Sequence, residues 1–230
     1  MATPIKALLF DTFGTTVDWF SSVTEHGQRL AAERGIQADW AGLAKAWRAR
    51  YKPAIKPVRE RKRKFTGFDV LHREQLDKIV GKFGLSGLSS EDRDRLTHGW
   101  HELKPWPDVV HALHRLKRHF IIGPLSNGTL RQMADLAKFG GLPWDVLFGA
   151  NMFLTYKPDP IFYLGAAHYL ELKPEEILMV AAHNEDLRNA KKHGMRTCFV
   201  HRPTEDSLAL PGYDYVVNDF EELARKLSAA

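Results

Sequence analysis

Ile5-Lys6-Ala7-Leu8-Leu9-Phe10-Asp11-Thr12-Phe13-Gly14-Thr15-Thr16 is a mostly apolar run that ends on a carboxylate and a glycine turn. A short apolar segment closed by polar and small residues reads as a buried parallel strand. Asp11 then stands at the carboxyl end of that strand, where turn amides can hold a carboxylate and a nearby anion. Taken alone, Asp11 also reads as a simple loop cap.

Similar runs recur at 120–125, 177–182, 197–200 and 213–217. Helical spacings separate them: Val109, Leu113 and Leu116, then Leu130, Met133, Leu136 and Ala137, then Ile161, Leu164, Ala167 and Leu170. Alternation of this kind predicts an α/β fold with a doubly wound, mainly parallel sheet. The stretch after the first strand is different. It shows only helical periodicities (Val23, Leu30 and Ala31; Trp40, Leu43, Trp47 and Tyr51; Val70, Leu71, Leu76, Ile79 and Val80), punctuated by Pro53 and Pro57. We therefore expect an α/β core of residues 1–16 plus 104–230, with an inserted α-helical cap of residues 17–103. Open α/β sheets place their sites beyond the carboxyl ends of the strands, so chemistry is expected between cap and core.

Composition narrows the class. A chain of 230 residues folds to a surface of roughly 10,600 Å² and buries about 72% of what it exposes unfolded, so it needs no staples. The single Cys198 excludes a disulfide scaffold, and a free thiol fits a reducing cytoplasm. No targeting segment is visible, and no apolar stretch approaches about 18 residues, so no membrane span is expected. The formal charge of +5 is local: nine Lys and Arg lie within residues 48–64 beside one acid, Glu60. A nucleic-acid binder spreads its basic face over a domain, so this run reads as a solvated helix face or loop and nucleic acid is not an expected partner.

Three later strand ends carry polar groups like the first. Leu125-Ser126-Asn127-Gly128 offers a hydroxyl, an amide and a helix N-terminus that favours anions, and it also reads as a helix cap. Tyr156-Lys157-Pro158-Asp159-Pro160 sets Lys157 before a proline-started helix, either on the surface or as a fixed charge in the cleft. Val180-Ala181-Ala182-His183-Asn184-Glu185-Asp186 opens a strand into a helix whose dipole Asp186 complements. Together, in this order, the four sites resemble the haloacid dehalogenase superfamily, whose members use an Asp nucleophile, a Ser or Thr, a Lys and a distal acid. The resemblance covers essentially the whole chain, the cap included.

Position 13 separates the branches. Phosphatase members carry a second Asp two residues after the nucleophile, as the acid for the leaving oxygen; here Phe13 stands there and has no proton to give. The stretch from Asp11 to Asp18 resembles instead the L-2-haloacid dehalogenase branch. That resemblance implies a small halogenated carboxylate as substrate, an aspartyl-ester intermediate, no metal or cofactor, and a homodimer. It assigns catalytic roles to Asp11, Thr15, Arg48, Lys157, His183 and Asp186, and substrate contacts to Thr12, Phe13, Phe68, Ser126, Asn127 and Tyr163. Arg48 and Asn127 would stabilise the departing halide, Ser126 would hold the carboxylate, and Phe13, Phe65, Phe68 and Trp106 would narrow the pocket. The fourth motif departs from the family pattern, with Ala181 and His183 where a Ser and an Asn usually stand. His183 is expected to hold the hydrolytic water with Asp186 or to act as its base. A Mg²⁺-dependent phosphatase and a non-catalytic binding protein are the competing readings.

Overall fold

The computed structural model describes residues 3–228; residues 1–2 and 229–230 of the expected core lie outside the described residues. Its accessible surface of 10759 Å² agrees with the size scaling.

The chain begins with β1 (Ala7–Phe10) and passes into α1 (Trp19–Arg34), α2 (Trp40–Ala49), α3 (Tyr51–Arg59), α4 (Phe68–Ile79) and α5 (Ser90–His98). It continues through α6 (Val109–Leu116), β2 (Ile121–Ser126), α7 (Leu130–Gly140), β3 (Phe148–Gly149), α8 (Ala150–Phe153) and α9 (Pro160–Tyr169). β4 (Ile177–Ala181), α10 (Asn184–Lys192), β5 (Arg196–Val200), β6 (Tyr215–Val217) and α11 (Phe220–Ser228) complete it. The sheet order is β3-β2-β1-β4-β5-β6, and every pairing is parallel.

β1 is central, with Phe10 opposite both Pro124 of β2 and Val180 of β4. The strand order reverses here, which opens a crevice above the ends of β1, β2 and β4. Alternation along β1 sends Ala7 and Leu9 to one core, with Met133, Leu136 and Leu187, and Leu8 and Phe10 to the other, with Leu113 and Leu223. Both faces are thus covered, as parallel sheets require.

Local chemistry explains the helices. Asp18, Asp39 and Ser89 accept backbone N–H groups at the starts of α1, α2 and α5, and Gly35 ends α1 with φ +64°. The spacing of Trp40, Leu43, Trp47 and Tyr51 spans two helices rather than one. A continuous helix would set the Pro53 ring against the carbonyl of Ala49, so α2 ends and α3 begins around Arg50. The two crossings between sheet and helical insertion lie side by side: Asp18 N–H donates to Lys104 O at 2.9 Å and Trp106 N–H to Thr16 O at 3.1 Å.

Two expectations are corrected. β3 has only two residues, too few to leave an apolar run. In α9 the buried side chains are Phe162, Tyr163, Ala166 and Ala167, whereas Ile161 and Leu164 are exposed. That helix is apolar almost all round, so spacing alone does not choose its buried face.

Candidate active site

A cavity of about 450 Å³ lies beyond the carboxyl ends of β1, β2 and β4 and is roofed by α2 and α3. Asp11 stands at its base with both carboxylate oxygens engaged. Lys157 Nζ donates to Oδ1 at 3.2 Å, while Thr15 Oγ and His183 Nδ1 meet Oδ2 at 2.9 and 3.0 Å. Burial favours a neutral carboxyl, but the Lys157 charge and the hydrogen bonds from His183 and Thr15 outweigh it and hold the Asp11 pKa far below its usual range. Asp11 is therefore ionised at any working pH.

Lys157 also donates to Asp186 Oδ2 at 2.6 Å, and Tyr163 OH donates to Asp186 Oδ1 at 2.7 Å. Burial lowers the Lys157 pKa, but the two carboxylates more than compensate and it is raised. The Asp186 pKa is also raised, because burial and the nearby Asp11 charge outweigh Lys157. Three separated stretches therefore form one cluster: Asp11, Lys157, Asp186 and His183, joined by Thr15 and Tyr163.

His183 departs from its expected partnership. It bonds Asp11 rather than Asp186, and its Nε2 lies 2.7 Å from Glu205 Oε2. Ionised carboxylates only accept, so both ring nitrogens must donate and the ring is an imidazolium. Burial opposes that charge, yet the bonds to Asp11 and Glu205 lift its pKa to about 9. A ring protonated at neutral pH is not a ready base.

Arg48 reaches the cavity from α2. Its guanidinium lies 5.6 Å from the Trp19 ring and 5.0 Å from the Tyr51 ring, and its buried Nη1 has no hydrogen-bond partner among the described residues. Asn127 accepts Lys157 N–H on Oδ1 at 2.7 Å and lines the cavity beside Tyr51. Lys52 of α3 joins Glu185 of α10 at 2.6 Å across the rim.

Other expected residues stand behind the wall. Ser126 is fully buried and its Oγ accepts Gly128 N–H at 3.2 Å, which makes it a turn former whose O–H proton that bond does not use. Thr12 Oγ contacts Met133 Sδ at 3.4 Å. Phe68 stacks on Phe13 with centroids 4.9 Å apart, so it supports the one of the pair that faces the cavity. Phe65 packs on Tyr156, and Trp106 donates to Gly14 O at 2.9 Å. The apolar lining comes instead from Phe13, Tyr51 and Ile55.

Residues 5–194 match the haloacid dehalogenase-like hydrolases. The chain belongs to this family. (S)-2-haloacid dehalogenase 1 of Pseudomonas sp. strain CBS-3 is 30% identical over 213 residues, 90% of each chain. (S)-2-haloacid dehalogenase 4A of Burkholderia cepacia is 30% identical over 235 residues, 97% of this chain and 95% of its own. Among solved structures, a defluorinating L-2-haloacid dehalogenase superposes with a TM-score of 0.93 at 39% identity, covering 97% of this chain and 95% of its own. Another L-2-haloacid dehalogenase gives 0.94 at 41% identity, covering 98% and 100%.

Within this family fold, Glu205 and Tyr51 are site residues that sequence reasoning missed. Glu205 sits on the loop after β5, where Trp19 Nε1 donates to its Oε1 at 2.7 Å. Gly14 is the one sequence signal for it. It adopts φ +89°, and a Cβ there would come 2.3 Å from Glu205 Cδ, so the turn after Asp11 both needs a glycine and leaves room for a carboxylate. Tyr51 reads as one more apolar-stripe residue, although it borders the cavity.

Proposed function

We propose that this chain hydrolyses short (S)-2-haloalkanoic acids to (R)-2-hydroxy acids and halide through an ester on Asp11. The observation that carries the reading is Arg48 with a buried, unpartnered donor in the same cavity as an ionised Asp11. A permanent cation with a free N–H suits the halide that an attacking carboxylate expels.

Asp11 Oδ2 is anchored by two donors and Oδ1 by one longer contact, so Oδ1 is the freer nucleophile. Its lone pair attacks C2 opposite the carbon–halogen bond, the halogen leaves with the bonding pair, and configuration inverts. Water then adds to Asp11 Cγ, the Cγ–Oδ1 bond breaks, and Oδ1 leaves in the hydroxy acid. This covalent route divides one difficult displacement into two easier steps. Lys157 orients Asp11, Arg48 and Asn127 meet the halide, and turn amides after Asp11 receive the substrate carboxylate. Ser126 shapes the neighbouring turn after β2 through Gly128.

The phosphatase reading asks for an acid at position 13, and there the Phe13 side chain stacks on Phe68 and has no proton to give. Residues 17–103 act in this reading as a cap over the core of residues 1–16 plus 104–230. A homodimer and a cytoplasmic location belong to the same proposal. The exposed Leu154, Ile161, Leu164 and Tyr169 and the buried, unpaired Cys198 support them. Among the described residues no helix is long and apolar enough to cross a membrane.

The test is halide release from chloro-, bromo- and fluoroacetate and the matching 2-halopropionates, with and without EDTA. Fluoride is included because a 39% identical relative is a defluorinating enzyme. Turnover of (S)- but not (R)-2-chloropropionate is expected, unaffected by EDTA. Silence of folded protein across the panel refutes the reading.

A further inference from the structure

Hydrolysis of the Asp11 ester needs a group to receive the charge that develops when water adds. As the water oxygen bonds to Cγ, the carbonyl pair moves onto Oδ2. Two donors already sit at that oxygen, Thr15 Oγ at 2.9 Å and His183 Nδ1 at 3.0 Å. Donors about 2.7–3.1 Å from the future oxyanion meet the geometric requirement for an oxyanion hole. Ala182 N–H donates to Thr15 Oγ at 2.9 Å, which occupies a lone pair of that hydroxyl and turns its proton toward Asp11.

We propose that Thr15 and the His183 imidazolium form the oxyanion hole for hydrolysis of the Asp11 ester, and that Glu205 is the positioning residue that keeps the ring charged and aimed. Glu205 is itself fixed by Trp19 Nε1 at 2.7 Å and Thr204 Oγ at 3.1 Å, so its carboxylate is rigid against the ring. Its pKa lies below the usual value, because the His183 bond and charges outweigh burial, and it stays ionised. The proposal rests on the dehalogenase reading.

In this scheme His183 keeps both protons through the step. Water gives its proton to Asp186, the carboxylate of the pair that remains once Asp11 is an ester. When the intermediate collapses, the pair on Oδ2 re-forms the carbonyl and Cγ–Oδ1 breaks. Oδ1 takes the proton back from Asp186 as the hydroxyl of the product. The regenerated Asp11 carboxyl then loses its remaining proton to solvent.

A base and a charged donor give opposite pH dependences. A base at His183 makes ester hydrolysis faster as the ring loses its proton, whereas an imidazolium donor makes it slower. In the resting site the ring pKa is about 9. Esterification removes the Asp11 charge that supports it, so the alkaline limb of the hydrolysis step falls below that value. The other charged groups facing the same cavity are Arg48, Lys52, Arg59, Lys157, Glu185, Asp186 and Asp206.

The experiment is rapid-quench single turnover with (S)-2-chloropropionate. Chloride reports alkylation, and the intact mass of the protein reports the ester. For the parent, the hydrolysis rate should fall with rising pH, and H183A should lower the ratio of hydrolysis to alkylation about 100-fold, the usual loss of one oxyanion donor, with ester accumulating. H183N restores a neutral donor but no base. It should recover part of that ratio and remove the alkaline limb. E205Q should move the limb at least one pH unit lower without abolishing the ester. Hydrolysis that quickens as pH rises, or H183N no better than H183A, overturns the oxyanion role. Unaltered hydrolysis and an unmoved limb in E205Q overturn the part assigned to Glu205. A parent that releases no chloride removes the dehalogenase reading itself and this inference with it.

Discussion

Replacing Arg48 by Lys keeps the charge and removes the shape, and so tests what the guanidinium contributes. In the structure its plane lies between Trp19 and Tyr51, at 5.6 and 5.0 Å, with Nη1 left free. An ammonium is compact, strongly hydrated and unable to stack as a plane. Each aromatic contact is worth about 0.5–1 kcal/mol. A charge-assisted hydrogen bond to the departing halide adds about 1.5–3 kcal/mol, of which the ammonium keeps only part. Together the loss is about 2–3 kcal/mol of transition-state stabilisation, or about 30- to 150-fold in kcat/KM. The assay is halide release by R48K with bromo-, chloro- and fluoroacetate, alongside the melting temperature. Fluoride concentrates its charge most tightly, so the penalty should grow from bromide to fluoride. A folded R48K within threefold of the parent on all three refutes the assignment of the halide to Arg48.

Other consequences are equally direct. Arg202, buried, bonds Asp108 at 2.8 and 2.9 Å and Thr15 O at 2.9 Å, so R202M strands a carboxylate and loosens the Asp11 turn; a loss of about 3–5 kcal/mol by urea unfolding is expected. F13A removes a ring stacked on Phe68 and set edge-on to Trp100, which should destabilise by about 3–5 kcal/mol on the same assay. His101 links Asp69 of α4 to Asp135 of α7 at 2.9 Å each; burial opposes its charge, but the two carboxylates raise its pKa above the ordinary 6.5. Its stabilisation is therefore complete below about pH 6.5 and lost as pH rises through the raised value, so melting temperatures between pH 5.5 and 9 should fall more for the parent than for H101Q. The basic residues at the rim should make kcat/KM decline with added salt while kcat changes little; salt-independent kcat/KM contradicts steering by that run.

The legible parts of this molecule are those in which local pattern and tertiary role coincide. Asp11 follows a four-residue strand buried throughout, and the end of such a strand is visible in the chain itself. Arg48 borders the apolar stripe of α2 on a helical wheel, and it is indeed half-buried at the cavity edge. Ser126 is ambiguous because a hydroxyl at a strand end suits an anion or a turn equally, and only the structure shows the 3.2 Å turn contact from Gly128 N–H. Glu205 is hidden for another reason. It lies on a loop without periodicity, 22 residues beyond His183, and its meaning comes wholly from that contact. His183 itself is visible, but its role turns on which carboxylates surround it, and this depends on how the loop folds back. Local signals thus locate the strand ends, while the choice among hydrogen-bond partners is tertiary.

The charge distribution explains why an insertion is needed at all. On the core side of the cavity three carboxylates, Asp11, Asp186 and Glu205, face two cations, Lys157 and His183, all tied into one network. That half alone carries an excess negative charge and would repel a haloalkanoate. Arg48, Lys52 and Arg59 line the opposite side, and all three belong to the basic run of residues 48–64. Six of the nine charges in that run are exposed, Lys52 and Arg59 among them, so the field a substrate meets comes from these two at the rim together with the half-buried Arg48. The core can then hold its nucleophile ionised between Lys157 and His183 without excluding an anionic substrate, because the balancing cations are supplied by a segment outside the network. A neutral cap on the same core would leave Asp11 just as ionised and the substrate with little reason to approach it.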